Sequence, residues 1–443
     1  MNKKSFLLFL IIPLTLVSCK KGANNVDINA LVPSYIRGVE GHYQVFFTYN
    51  DDFFLEDSKE VSKDITLLSY GSSCNNFDKE HINSYYTQME FDNIYLSETY
   101  DNPGPHTINY LMGHKKIKDY NLVAISIRGF DYTQEWVSNL TLGSSGNHQG
   151  FENSALLIYD KLKSYIASNS YDNLKIWITG YSRAGGVSNV LSHLIMSKGE
   201  ISVDQSNLFT YTFEAPRGLL KINALEYENV HNFINTADPV PLIAPAQYNI
   251  YRCGKDIDIY NEDIDAIVKK FDKKLKLPAF TPYVSEVGKP DYAKETLFDD
   301  WLINLFLGER ESMPLNLREQ FVSTVQDDLG YLMSLFFSLN YQEQNAFMGY
   351  VGENIGIYDL VTILFDNAQL YEKLKPYLVE HNISFDDDKF QKGCNTAVAL
   401  VKSVLSSLIG TFVSRSDNFY RMIDMHMPEV NYALLLHYFG ELE

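Results

Sequence analysis

Cysteine and positive charge are both scarce in this sequence. Four cysteines, Cys19, Cys74, Cys253 and Cys394, are spread over 443 residues, with no CxxC pair and no metal-type cluster. That argues against a zinc site. With Cys19 set aside, an odd number of thiols remains, so they cannot all pair within the chain, and the pairing of Cys74, Cys253 and Cys394 stays open. Lysine and arginine number 37 against 56 aspartates and glutamates, a net charge of −19. This balance argues against nucleic acid or an anionic lipid surface as the partner. Beyond the N-terminal segment no apolar run reads as a transmembrane span, and there is no internal repeat or low-complexity tract. The acidic run Asp386-Asp387-Asp388 reads as a solvated loop and not as a calcium site.

What is present begins with a leader. In MNKKSFLLFLIIPLTLVSCKK, Lys3 and Lys4 form a positive start, and Phe6–Val17 is an apolar run too short to span a bilayer comfortably. Small residues then lead up to Cys19. The pattern resembles a bacterial lipoprotein signal, in which cleavage precedes the cysteine and lipid is attached to it. It implies removal of residues 1–18, lipidation of Cys19, and a mature chain held at the outer face of the membrane, in the cell envelope, by acyl chains. Without Lys3 and Lys4 the chain counts 35 basic and 56 acidic side chains, a net charge of −21.

The sequence is 45% hydrophobic and 14% aromatic, the composition of a globular chain with a core. Residues 19–35 read as a polar tether, and His42–Tyr49 as an early strand. From Phe54 to Lys118 helical patterns mix with turns. A regular alternation follows. Leu122–Ile127, Leu174–Thr179, Leu208–Phe213 and Val230–Ile234 are short apolar runs of β type. Between them, Phe151, Ala155, Ile158, Leu162 and Tyr165 mark one helical face, and Val187, Val190, Leu191, Leu194 and Ile195 another. Strands alternating with amphipathic helices predict an α/β fold with a mostly parallel sheet. After about residue 260 the segments 296–307, 317–339 and 396–412 are rich in Leu, Phe and Met at helical spacing, with no strand between them.

The turn GYSRA at 180–184 fits a strand–nucleophile–helix elbow, G-x-S-x-G with alanine in the fifth place. Such a turn exposes the serine hydroxyl and needs small residues two positions to either side, here Gly180 and Ala184. The following helix turns its positive end to the site, and the Arg183 amide is available to an oxyanion. A nucleophilic Ser182 needs a base and a group that orients the base. Asp238, directly after VHNFI and flanked by Pro239 and Pro241, is the acid that fits the order Ser, acid, His. Three histidines follow it. His381 lies in a polar loop, His437 within an apolar helical pattern, and His426 in a loop before the last helix, so His426 is the preferred base. His193 lies three turns down the elbow helix, too far from Ser182 to act on it.

These segments also form an ordered set. Arg128-Gly129, then Glu135–Leu140, then HQGF at 148–151, GYSRAGG, YTFEAPRG at 211–218, NTADPVPLIAP and HMPEVNY at 426–432 resemble the blocks of the class 3 lipases, from about residue 120 to 250 and again near 420. The resemblance implies an α/β-hydrolase with Ser182 as nucleophile, Asp238 as acid and His426 as base. The backbone amides of Arg183 and Phe130 would form the oxyanion hole. Phe130 stands where the family usually has Ser or Thr, which leaves only its backbone N–H. Ala184 replaces a glycine, and Glu214 stands where a small residue is commoner. Trp136, His148 and Arg217 match family blocks and are read as structural: a loop anchor, the start of a helix and an ion pair.

The gap of 188 residues between Asp238 and His426 is long for a hydrolase sheet and predicts a large helical cap inserted between the acid and the histidine. The expected organisation is a core over 36–255, a cap over 256–415 and a return to the core over 416–443. The chemistry implied is hydrolysis of carboxylic esters, lipid or other acyl, with no metal or organic cofactor and no nucleic-acid partner. Two alternatives stay open: a surface-binding lipoprotein on a hydrolase scaffold, and an acyltransferase or amidase with the same nucleophile.

Overall fold

The computed structural model describes residues 25–34, 41–101, 107–129, 137–143, 146–238, 240–242, 249–274, 327–354, 368–398 and 424–442. Cys19 with its leader, Phe130 and Trp136 lie outside them.

The described chain opens with a hairpin. β1 (Val26–Ser34) pairs antiparallel with β2 (Gly41–Tyr49) along its full length, from Val26 opposite Tyr49 to Ser34 opposite Gly41. The expected tether over 19–35 is thus a strand from Val26 onward. Ile28, Ala30 and Val32 alternate inward and are buried, a period of two that the polar Asp27 and Asn29 between them disguise. The helices α1 (Lys63–Asn75) and α2 (Lys79–Gln88) follow. Then come β3 (Asp92–Leu96), β4 (Tyr110–Ile117) and β5 (Tyr120–Ile127), the short α3 (Val137–Leu140), α4 (Gln149–Asn169), β6 (Leu174–Tyr181) and α5 (Arg183–Lys198). β7 (Leu208–Phe213), β8 (Leu219–Leu220), β9 (Val230–Ile234), β10 (Ile250–Tyr251), β11 (Lys255–Asp258) and α6 (Ile264–Phe271) complete this part.

Seven strands form one sheet in the order β11-β9-β7-β6-β5-β4-β3. It is parallel from β5 to β11 and antiparallel at β4 and β3. The fold is α/β with a mostly parallel sheet, as the sequence predicts. Because β5, β6 and β7 step in one direction, right-handed crossovers put α4 and α5 on the same face. Val123, Ile125 and Ile127 of β5 and Ile176 and Ile178 of β6 pack there against them. The alternate residues, Leu122, Ala124, Trp177 and Tyr181, point the other way. That face needs cover from outside the βαβ run, and the hairpin, α1, α2, α6 and the last helix (Pro428–Tyr438) supply it. The last helix packs against α6, β1 and α1 in this covering layer, and the loop just before it reaches the end of β6.

The expected cap boundary at residue 256 moves. β11 extends the sheet through Asp258, and Ile264, Ile267 and Val268 of α6 are buried in the core. The described helices 327–338, 341–354, 368–380 and 387–398 share a separate apolar cluster that includes Tyr371, Leu374, Tyr377, Leu378 and Phe390. Within the acidic run, Asp386 accepts from the Lys389 N–H at 3.1 Å, and Asp387 pairs with Lys375 at 2.8 Å. Cys74, Cys253 and Cys394 are buried free thiols.

Candidate active site

β6 ends on Tyr181 and α5 begins on Arg183, which leaves Ser182 alone at the turn with φ 56° and ψ −128°. A non-glycine residue in this region is strained and persists only where its surroundings fix it. Here the Ser182 N–H donates to the Phe213 carbonyl at 2.8 Å, and its own carbonyl accepts from the Gly186 N–H at 3.1 Å. The turn is tight enough that a Cβ on Gly180 would lie 2.4 Å from the Ala184 carbonyl oxygen. That crowding is the physical reason for small residues on both sides of the serine. Arg183 opens α5, so its amide is among the first-turn donors that have no acceptor within the helix.

Asp238 is delivered by the turn after β9, where its N–H donates to the Asn235 carbonyl at 2.8 Å. Its side chain is fully buried. Oδ1 accepts from the Val240 N–H at 2.9 Å, and Oδ2 lies 2.5 Å from His426 Nδ1. The other ring nitrogen, Nε2, lies 2.8 Å from Ser182 Oγ. Three side chains from distant parts of the chain thus form one hydrogen-bonded line. With Nδ1–H donated to Asp238, Nε2 is left as an acceptor facing the serine hydroxyl.

The loop that carries His426 is tied to the neighbours of the other two residues. The Tyr181 hydroxyl donates to the His426 carbonyl at 2.8 Å, and Asn431 Nδ2 donates to that hydroxyl at 2.8 Å. Asn235 Nδ2 and Asn431 Nδ2 each donate to the Met425 carbonyl at 3.0 Å. The Tyr70 hydroxyl of α1 donates to the Pro428 carbonyl at 2.5 Å. Tyr181, Asn235 and Asn431 lie inside the sequence blocks that mark the site, yet block matching alone gives them no role; their position beside Ser182, Asp238 and His426 is the signal that finds them.

Glu214 occupies the end of β7, one residue past the carbonyl that holds Ser182, at φ 49°. Its side chain is fully buried and accepts from the Asn235 N–H at 3.0–3.1 Å. Burial, reinforced by the carboxylate of Asp238 beside it, pushes its carboxyl well above the usual carboxylate range.

The side chain of Arg183 is buried. Its Nε donates to Ser138 Oγ at 2.8 Å and its Nη2 to the Thr107 carbonyl at 3.2 Å, which ties the elbow to α3 and to the segment before β4. Gly129 approaches the elbow from the other side: a Cβ there would lie 2.1 Å from the Tyr181 carbonyl oxygen. Phe130, the residue after it, is outside the described residues. The other histidines are engaged elsewhere. His381 stacks on Tyr377, His437 meets Asn261 at 3.2 Å, and His193 meets the Tyr227 hydroxyl at 3.3 Å. His148 caps α4, accepting from the Phe151 N–H at 3.4 Å, which is the structural part expected of it. The positive charge of Arg217 acts on Asp256, which Arg252 pairs directly at 2.6 Å.

Residues 124–248 match the family model described as lipase (class 3). Among solved structures, the chain aligns over 46% of its length with 83% of a triacylglycerol lipase whose catalytic centre is a serine protease triad, at 20% identity and a TM-score of 0.37. It aligns over 46% of its length with 71% of the lipase in the Rhizomucor miehei lipase–propeptide complex, at 21% identity and a TM-score of 0.36. Over the same share it aligns with 77% of a lipase from Rhizopus microsporus var. chinensis, at 14% identity and a TM-score of 0.36. No curated protein matches the chain.

Proposed function

On the premise that residues 124–248 form a hydrolase core of the class 3 lipase type, we propose that this protein hydrolyses carboxylic esters, lipid or other acyl, through Ser182, His426 and Asp238. One observation carries the reading: a single imidazole lies 2.8 Å from a serine hydroxyl on one side and 2.5 Å from a buried carboxylate on the other. Ser182 Oγ attacks the ester carbonyl carbon as His426 Nε2 takes its proton. Asp238 holds the imidazole in the tautomer that can accept and stabilises the imidazolium that forms. Negative charge develops on the carbonyl oxygen, toward the amide of Arg183 at the positive end of α5 and, in this reading, toward that of Phe130. The imidazolium then gives its proton to the departing alkoxide, leaving an acyl-serine. Water, deprotonated by His426, attacks the acyl carbon, and the imidazolium returns that proton to Ser182 Oγ as the bond to the serine breaks and the carboxylic acid leaves. The leader ending at Cys19 supports a lipid-anchored location outside the membrane, where acyl esters of a bilayer are at hand.

The test is labelling of the mature protein with a fluorophosphonate probe, run beside a chain-length series of p-nitrophenyl esters. Wild type is expected to label and to cleave. Ser182→Ala and His426→Ala should each abolish labelling, whereas His381→Ala and His437→Ala retain it. A wild type that neither labels nor cleaves would overturn the hydrolase reading in favour of a binding protein. Esterase activity that survives His426→Ala would reassign the base.

A further inference from the structure

Two buried carboxyl groups meet behind the histidine, and only one of them belongs to the serine–histidine–aspartate line. Asp238 accepts from His426 on Oδ2 and from the Val240 N–H on Oδ1. Glu214 lies beside it, the two held on the same Asn235 main chain, and neither side chain has any exposure to solvent. Glu214 is fixed from both ends. Its N–H donates to the Phe233 carbonyl at 3.0 Å, and its carboxyl accepts from the Asn235 N–H. Asn235 in turn accepts the Asp238 N–H on its carbonyl and holds the His426 loop through Met425. One side chain thus touches the scaffold of both the acid and the base.

Two carboxylates side by side, both dry, cannot both carry a charge, since neighbouring like charges repel strongly in a low dielectric. The groups that face Glu214 do not relieve this. From the β9 turn comes Asp238 and from β11 Asp258, both acidic; Tyr181 of β6 and Tyr70 of α1 interact with its charge and are neutral phenols. The proton therefore belongs to one of the pair. Asp238, with the imidazole N–H against it, is the member suited to be the anion.

We propose that Glu214 is a positioning residue of the triad: as a neutral carboxylic acid it donates a hydrogen bond to Asp238, fixing the carboxylate that orients His426. The inference rests on the serine hydrolase reading for its kinetic consequence, but not for the proton. Hydrogen bonds to a buried anion are among the stronger ones, so losing this one should lower kcat by about tenfold to a hundredfold. Glutamine at 214 can still donate to Asp238 while accepting from Asn235, whereas leucine can do neither.

Infrared difference spectra at neutral pH test the proton directly. The carbonyl stretch of a neutral carboxylic acid should be present in wild type and in Ser182→Ala and be lost in Glu214→Gln. Its absence from the wild-type minus Glu214→Gln difference overturns the proposal whether or not the protein hydrolyses esters. The kinetic arm compares Glu214→Gln with Glu214→Leu. The glutamine variant is expected to lose less in kcat than leucine and to keep the acid limb of kcat/KM at the wild-type pH. A shift of that limb to lower pH in Glu214→Gln would mean that a negative charge had been removed from beside His426, and would overturn the proposal. Loss of activity in wild type, with the infrared band intact, would sink the hydrolase reading alone.

Discussion

The hydroxyl of Tyr181 donates to the main-chain carbonyl of His426 across 2.8 Å, so the residue before the nucleophile holds the residue that activates it. The two stand 245 positions apart in the chain. Their contact sets the spacing between Ser182 and the imidazole without using either side chain that reacts. Tyr181 is fully buried, and its oxygen also accepts from Asn431.

Tyr181→Phe removes both bonds while keeping the ring packed. The expected stability loss is about 1–2 kcal/mol, the cost of a missing hydrogen bond plus a partly unsatisfied asparagine. Because the His426 loop loses a direct tie to the elbow, fluorophosphonate labelling should slow by more than the small fraction of protein unfolded can explain. Urea unfolding alongside labelling rates separates the two effects. Equal labelling rates in the two proteins would show that Tyr181 only packs.

Glu214 gives a stability prediction with a definite sign. Its folded-state carboxyl is held neutral, above the ordinary value of 4.5 that the unfolded chain retains. Below that value both states are protonated. As pH rises through it, the unfolded state releases a proton that the folded state keeps, so stability falls toward neutral pH. Glu214→Gln removes this slope. The variant should be more stable than wild type at neutral pH by more than the ~0.5 kcal/mol of an ordinary surface change, and the gain should shrink on acidification toward the carboxylate range. Thermal midpoints of both proteins across the pH series provide the measurement.

His231 works in the opposite sense on the acid side. Its imidazole is fully buried with Nε2 2.8 Å from the Ser58 carbonyl, and burial pushes its pKa below the ordinary histidine value of 6.5. The unfolded chain takes up a proton as pH falls through that value, and the folded chain resists it. Stability is therefore present above pH 6.5 and is lost on acidification, at up to about 1.4 kcal/mol per pH unit for this one group. Urea midpoints of wild type and His231→Gln should diverge less at pH 5.5 than at pH 7.5. A wild type no more acid-sensitive than the variant would show that His231 is protonated in the fold.

The parts of this architecture that sequence conveys are those where one period or one motif decides. β7 and β9 fall on the residues that their apolar runs mark, and the inward face of α4 is Phe151, Ala155, Ile158, Leu162 and Tyr165 as spacing requires. β1 is hidden because only one of its faces is apolar and its pairing with β2 is not encoded in any local pattern. β3 and β4 are hidden because residues 54–118 mix helical patterns with turns, and an antiparallel edge depends on pairing that no local pattern encodes. Ser182 is legible because a strained turn demands small neighbours. Glu214 carries the opposite lesson. Its departure from the family block is visible in YTFEAPR, but its meaning is not, because a buried acid is explained only by the second carboxyl that folding brings beside it.

The segment before Phe130 offers the last test, because its packing can be altered without touching the triad. A Cβ at Gly129 would lie 2.1 Å from the Tyr181 carbonyl and 3.2 Å from Ala184 Cβ, so the main chain there can lie against the elbow only without a side chain. Gly129→Ala must push the two backbones apart. Overpacking of this kind costs about 1–3 kcal/mol. If the amide after Gly129 serves the oxyanion, displacing it should also lower kcat for ester cleavage, with about a hundredfold as the loss seen for one missing donor. No triad side chain is removed, and the oxyanion forms after binding, so KM should change little compared with kcat. Steady-state kinetics on a short ester, corrected for the folded fraction from thermal melts, measures this. A variant that is destabilised yet turns over at the wild-type rate would move the second oxyanion donor away from Phe130.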